Sequence, residues 1–177
     1  HYEAARKIAG EGIVLLKNEG NVLPVDIDAS EKILVVGENA VKMMTVGGGS
    51  SSLKVQREIS PLDGIRARVY ARGYVGDVTG EYNGVVTGQN LNDDRTAEEL
   101  IAEAVKEAED ADYVIFVGGL NKSAHQDCED SDRAGLGLPY GQDAVIEALA
   151  AVNRNLIVVN ISGNAVAMPW VEKVPAI

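Results

Sequence analysis

The side chains best able to do chemistry crowd into one stretch, Asn121-Lys122-Ser123-Ala124-His125-Gln126-Asp127-Cys128-Glu129-Asp130-Ser131-Asp132-Arg133. Asp127, Glu129, Asp130 and Asp132 put four carboxylates into six residues. Like charges held this close oppose one another's ionisation and raise some of the pKa values. A carboxyl group that keeps its proton near neutral pH is what general-acid catalysis needs. Arg133 supplies a partial counter-charge, so not all four should shift. The same composition also describes a plain solvated acidic loop. A calcium loop does not fit, because the sixth position counted from Asp127 is Asp132, where that pattern requires glycine.

His125 is one of two histidines, the other being His1. Ser123 and Asp127 lie too near it in sequence to face its ring as a nucleophilic triad does. His125 suits better a polar contact to a hydroxyl-rich ligand. A second candidate loop is Val46-Gly47-Gly48-Gly49-Ser50-Ser51-Ser52. It lacks both glycine patterns that cradle phosphates, and no helix opens directly behind it. Small residues there let backbone and hydroxyls approach a sugar closely. Asn121-Lys122-Ser123 and Asn160-Ile161-Ser162 match glycosylation sequons, which occur by chance, and Asn160 falls in an expected buried strand. Trp170, the sole tryptophan, reads as a packing residue.

The elements that must position these loops follow from periodicity. Ile33-Leu34-Val35-Val36-Gly37, residues 68–74, Tyr113-Val114-Ile115-Phe116-Val117 and Leu156-Ile157-Val158-Val159-Asn160 read as strands, three of them continuous apolar runs. Ser60 with Pro61 starts a short helix. Thr96 with Glu99 forms a capping box, and Leu100, Ile101, Ala104, Val105 and Ala108 share one face behind it. Val145, Ile146, Leu149 and Val152 mark another helix. Residues 76–94 read as a long polar loop.

Strands alternating with helices give a three-layer α/β/α sandwich around a mostly parallel sheet. Loops that follow strands in such a sheet gather at its C-terminal edge. The glycine-serine loop and the acidic loop should therefore open on the same edge of the sheet. Ahead of the sandwich, Ala5, Ile8, Ala9, Gly12, Ile13 and Leu16 form one face of an amphipathic helix that needs something to pack on, followed by a linker. The expected division is a helix and linker over residues 1–30 and the sandwich over 31–177. Val174-Pro175-Ala176-Ile177 resembles the start of a further strand, so the sandwich is expected to be incomplete at its C-terminal side.

Composition bounds the partners. The chain has 177 residues, 46% of them hydrophobic, enough for one buried core. Lys and Arg total 16 against 27 Asp and Glu, a formal charge of −11, which argues against nucleic acid and against an anionic membrane surface. No apolar run is long enough for a membrane span. A single cysteine, Cys128, excludes an intrachain disulfide and a paired-cysteine metal site.

An ordered set of segments resembles the second domain of glycoside hydrolase family three. Residues 9–18 with Leu23-Pro24 look like the segment leaving that family's barrel domain. Ile33 to Gly37 with Gly48-Gly49-Ser50 resembles the first strand and its substrate-side loop, and Ser60-Pro61-Leu62-Asp63-Gly64-Ile65 is similar too. Glu129-Asp130-Ser131-Asp132-Arg133, ahead of Leu138-Pro139 and Gly141-Gln142, resembles the acid/base loop that usually reads E-G-x-D-R; Pro169-Trp170 completes the set. Asp130 stands where that pattern has glycine.

The resemblance implies a part of a retaining β-glycosidase of the β-glucosidase kind, acting on a β-linked saccharide or β-glucoside. Glu129 would be the general acid/base, with Asp127 its neighbouring alternative. Gly49, Ser50 and His125 would lie near the sugar. The nucleophilic aspartate would come from an N-terminal barrel domain of the same parent protein, and no metal or cofactor is called for. The family also implies a periplasmic or extracellular setting. The competing reading is a non-catalytic α/β module that binds a small ligand or a partner protein.

Overall fold

The computed structural model describes residues 1–45, 49–50, 53, 55–67, 69–76, 81–82, 85–86 and 90–177. Val46, Gly47, Gly48, Ser51 and Ser52 of the glycine-serine loop, and Arg68, lie outside the described residues.

Four strands, β1 (Ile33–Val36), β2 (Val69–Ala71), β5 (Tyr113–Gly119) and β6 (Leu156–Ile161), form one sheet in the order β2-β1-β5-β6. Every pairing in it is parallel. The apolar runs alternate between its two faces, as the two-residue period of a strand dictates. Leu34, Val36, Val114, Phe116, Leu156 and Val158 point to the face covered by α3 (Ala97–Ala108) and α4 (Gln142–Val152). Val35, Ile115, Val117 and Ile157 point to the other face, where α2 (Pro61–Ile65) and residues 22–25 lie. The three layers are thus unequal, with two full helices on one side and a short helix plus linker on the other.

Local signals act as the sequence leads one to expect. The Ser60 hydroxyl accepts from the Asp63 N–H, and Thr96 and Glu99 make both bonds of the capping box. Trp170 is fully buried, and its Nε1 donates to Asp143 Oδ1 at 2.8 Å, fastening the C-terminal segment to α4. Ala176 bridges to Ile157 in parallel and to Asn18 in antiparallel fashion, so the expected further strand exists as a backbone bridge at the sheet edge.

Two expectations are corrected. Helix α1 (Tyr2–Gly12) stops four residues short of Leu16, because Ile13 is extended and the following backbone pairs instead with Ile177. Not one residue of α1 is buried within this chain. The stretch after Gly76 is not irregular throughout: β3 (Glu81–Tyr82) and β4 (Val85–Val86) make a two-stranded antiparallel ribbon. Neither strand carries a run long enough to reveal itself by periodicity. No helix among the described residues is long and apolar enough to cross a membrane.

Candidate active site

Three loops meet at the C-terminal edge of the sheet, following β1, β5 and β6. The acidic loop is closed at its base by Gln142, the first residue of α4. Its buried amide accepts from Gly119 N–H and donates to Gly119 C=O, both at 2.8 Å. Asn39, just past β1, donates to the Leu120 carbonyl at 3.1 Å. The loop therefore leaves β5 from a fixed point.

Glu129 reaches across to the loop after β1. Ser50 Oγ donates to Glu129 Oε1 at 2.6 Å, and Ser50 N–H donates to Oε2 at 2.8 Å. Gly49 is buried beneath this contact at φ +143, and a Cβ built on it would stand 2.5 Å from the Glu129 carboxyl carbon. Only glycine lets the two loops come this close. The two loops do share one sheet edge, and Gly49, Ser50 and Glu129 are in contact.

The crowding argument predicts raised carboxyl pKa values in this loop, and Glu129 does the reverse. The Ser50 hydroxyl, and secondly the Ser50 N–H, stabilise its charged form and hold its carboxyl below the ordinary value. Two aimed donors outweigh the opposing desolvation of the carboxyl group.

Asp127 does not share this position. Its carboxylate accepts from the backbone N–H of Gly163 and, at 2.9 Å, from the Asn164 side-chain amide, both in the loop after β6. His125 stands apart from the Ser50–Glu129 contact. It is exposed, at φ 61, with Nδ1 3.0 Å from the carbonyl oxygen of Asp132. Because a carbonyl only accepts, Nδ1 carries the proton in that bond. Asn121 is 2% exposed and its Oδ1 accepts from Ser123 N–H, so the first sequon closes a turn within the fold. Asp130 has φ 62, the left-handed conformation that suits the glycine of the resembled pattern.

No motif or spacing singles out Gln126, Tyr140, Gly163 or Asn164. Buried Gln126 accepts from Asn121 N–H at 2.9 Å and donates to the Tyr140 hydroxyl at 2.5 Å, while the Tyr140 ring stacks on Tyr74. Among the described residues, no group of three or more His, Cys, Asp or Glu could hold a metal ion. A surface depression of about 700 Å³ lies at the opposite sheet edge. Asp112 and Asn153, which line it, are committed to backbone partners.

The chain is an α/β domain with an all-parallel four-stranded sheet, whose loops bring Ser50 and Glu129 together. Residues 13–177 match the family profile described as Glycosyl hydrolase family 3 C-terminal domain. The chain is 48% identical over 187 residues to Beta-glucosidase BoGH3A of Bacteroides ovatus, with all of this chain and 24% of that protein covered. It is 36% identical over 178 residues to Thermostable beta-glucosidase B of Acetivibrio thermocellus, covering all of this chain and 22% of that protein. The crystal structure of Bifidobacterium adolescentis GH3 beta-glucosidase superposes with a TM-score of 0.77 at 32% identity, over 99% of this chain and 24% of that one. The chain belongs to the glycosyl hydrolase family 3 C-terminal domain family. It spans about a quarter of the length of these relatives.

Proposed function

We propose that this domain supplies the general acid/base, Glu129, to a retaining β-glycosidase that hydrolyses terminal β-linked sugars, with the nucleophilic aspartate in an N-terminal barrel domain of the parent protein. The observation that carries this reading is the Ser50–Glu129 contact. It presents an exposed carboxylate at the loop edge of the sheet, at the glutamate of the E-D-S-D-R run.

The chemistry follows from the two-carboxylate scheme. The aspartate attacks the anomeric carbon while Glu129 protonates the departing oxygen; Glu129 then takes a proton from the water that releases the sugar. Retention requires the two carboxyl groups about 5–5.5 Å apart. A second negative charge at that distance opposes ionisation of Glu129 and raises its pKa. Glu129 must also exchange the Ser50 hydroxyl for the glycosidic oxygen, and the freed hydroxyl is then available to the sugar. His125, with Nδ1 occupied, offers Nε2 as an acceptor for a sugar hydroxyl. Without the barrel this chain is inactive, since acid/base help contributes about 10²–10⁴-fold and has no nucleophile to assist.

The test is hydrolysis of aryl β-glucosides by the full-length parent carrying Glu129→Ala, with and without azide. The reading expects collapse on poor leaving groups, and turnover restored by azide with a β-glycosyl azide product. Wild-type rates across leaving groups would favour a non-catalytic module instead.

A further inference from the structure

Glu129 sits inside a short segment that is gripped on both sides. His125 at φ 61 and Asp130 at φ 62 bend the chain at either end of residues 126–129. Gln126 anchors inward on Asn121 N–H and Tyr140. Asp127 points the other way, onto the loop after β6. Its Oδ2 accepts from Gly163 N–H and its Oδ1 from Asn164 Nδ2. A Cβ at residue 163 would stand 3.0 Å from Asp127 Oδ2, so the glycine there gives the carboxylate its access. Beyond Glu129, Arg133 Nη2 donates to the Ala165 carbonyl, and Ala167 N–H donates to the Leu136 carbonyl at 2.7 Å. The loop after β6 thus holds the acidic loop at points before and after Glu129.

We propose that Asp127 is a positioning residue for Glu129: by tying the acidic loop to Gly163 and Asn164, it fixes where the Glu129 carboxyl meets the glycosidic oxygen. The proposal rests on the acid/base reading of Glu129. Proton transfer tolerates little displacement, since the donor must come within about 2.6–3.2 Å of the oxygen it protonates. A misplacement of about 1 Å is able to cost about 10²-fold. Only Cys128 separates Asp127 from Glu129, too short a spacer to absorb a shift. Asp127 itself, with both oxygens engaged by donors from one loop, takes no part in the chemistry.

The experiment uses the full-length parent and compares dinitrophenyl β-glucoside, whose leaving group needs no acid, with phenyl β-glucoside, which does. Asp127→Asn keeps size and shape but turns one acceptor into a donor facing a donor. It is expected to lower kcat on the phenyl substrate about 10- to 100-fold. Its kcat on the dinitrophenyl substrate, its KM and its melting temperature should stay near wild type.

The double substitution Asp127→Asn with Asn164→Asp reverses the polarity of the side-chain bond, leaves an acceptor for Gly163 N–H, and should restore the phenyl rate. Asn164→Ala, which removes one partner without touching the acidic loop, should show a weaker loss of the same kind. Wild-type rates for Asp127→Asn on both substrates overturn the proposal. So does an equal loss on both with a lowered melting temperature, which marks a purely structural tie. Glu129→Ala is run alongside: if it shows no leaving-group dependence, the acid/base reading itself has failed. If it keeps that dependence while Asp127→Asn does not acquire it, only the positioning role has failed.

Discussion

Ser50 occupies both oxygens of Glu129 at once, its hydroxyl on Oε1 at 2.6 Å and its backbone N–H on Oε2 at 2.8 Å. Both bonds favour the carboxylate over the acid, the hydroxyl more strongly. Ser50→Ala removes the larger cause and leaves the N–H. The Glu129 pKa should therefore rise part of the way back toward the ordinary value of about 4.3. Carboxyl-carbon NMR titration of this chain checks it, and an unmoved pKa would show that the hydroxyl contributes nothing. The linkage has a definite sign. A folded-state pKa below the unfolded one contributes stability above the unfolded pKa, and that contribution is lost as pH falls through the folded value. Ser50→Ala should narrow this acid-side loss.

Gly49 bears on the same contact from beneath. Its φ of +143 is closed to ordinary side chains, and a Cβ would meet the Glu129 carboxyl at 2.5 Å. Gly49→Ala must move either the backbone or Glu129. In the parent enzyme the loss should fall on poor leaving groups, about 10-fold or more. A variant that hydrolyses them at the wild-type rate would show that the two loops are not held together during turnover.

Asp130 adopts a left-handed conformation that costs a residue with a Cβ about 1–2 kcal/mol, less for aspartate than for most. Asp130→Gly relieves that strain and should stabilise the chain by up to about 1 kcal/mol. Asp130→Val, β-branched, should cost about 1–2 kcal/mol. Urea unfolding at fixed pH measures both. Equal stability of the two variants would mean that the loop relaxes out of the observed conformation.

The exposed apolar stretch makes a prediction about association. Ile8, Ile13, Val14, Leu15 and Leu16 are 59–80% exposed, beside an α1 with no buried residue. An apolar patch this continuous drives self-association in water. Sedimentation should show mass rising with concentration, and the pair Ile13→Ser with Leu15→Ser should suppress the rise. Concentration-independent monomers before substitution would contradict it.

The strands and long helices were legible because their signals are local. The apolar runs at Leu34, Phe116 and Val158 fix a two-faced parallel sheet, and Thr96 with Glu99 fixes a helix start. Topology puts the loops after β1 and β5 at one edge, and the family resemblance singled out Glu129 and Ser50 within them; the bond between the two was not legible. The third loop was not legible. Gly163 and Asn164 carry no charge and no pattern, and their part depends on a contact 36 and 37 residues away in sequence. The direction of the Glu129 shift was hidden for the same reason: charge can be counted in a sequence, but the aim of the Ser50 N–H cannot. Helix α1 misled because its amphipathic period runs on past Gly12, while pairing of Leu16 and Lys17 with Ile177 takes the backbone away.

Behind the site, Glu38 is fully buried where β1 ends. Its Oε2 accepts from Arg72 Nη2 at 2.7 Å and from Gly76 N–H at 2.8 Å, and Lys42 Nζ lies 3.8 Å from Oε1. Two cations that are themselves buried thus face this carboxylate, and Arg72 Nη1 also reaches Asp93 Oδ2 at 3.5 Å. Removing one partner of a buried pair leaves the other charge desolvated, which costs about 3–5 kcal/mol. Glu38→Ala should lose about that much in urea unfolding. The double substitution Glu38→Leu with Arg72→Met removes the closest ion pair but leaves Lys42 and Asp93 in place, and should recover part of the loss, since apolar replacements often match a buried ion pair. If the double variant is as unstable as Glu38→Ala, the network matters through shape and through the Gly76 bond that steers the chain away from β2, not through charge.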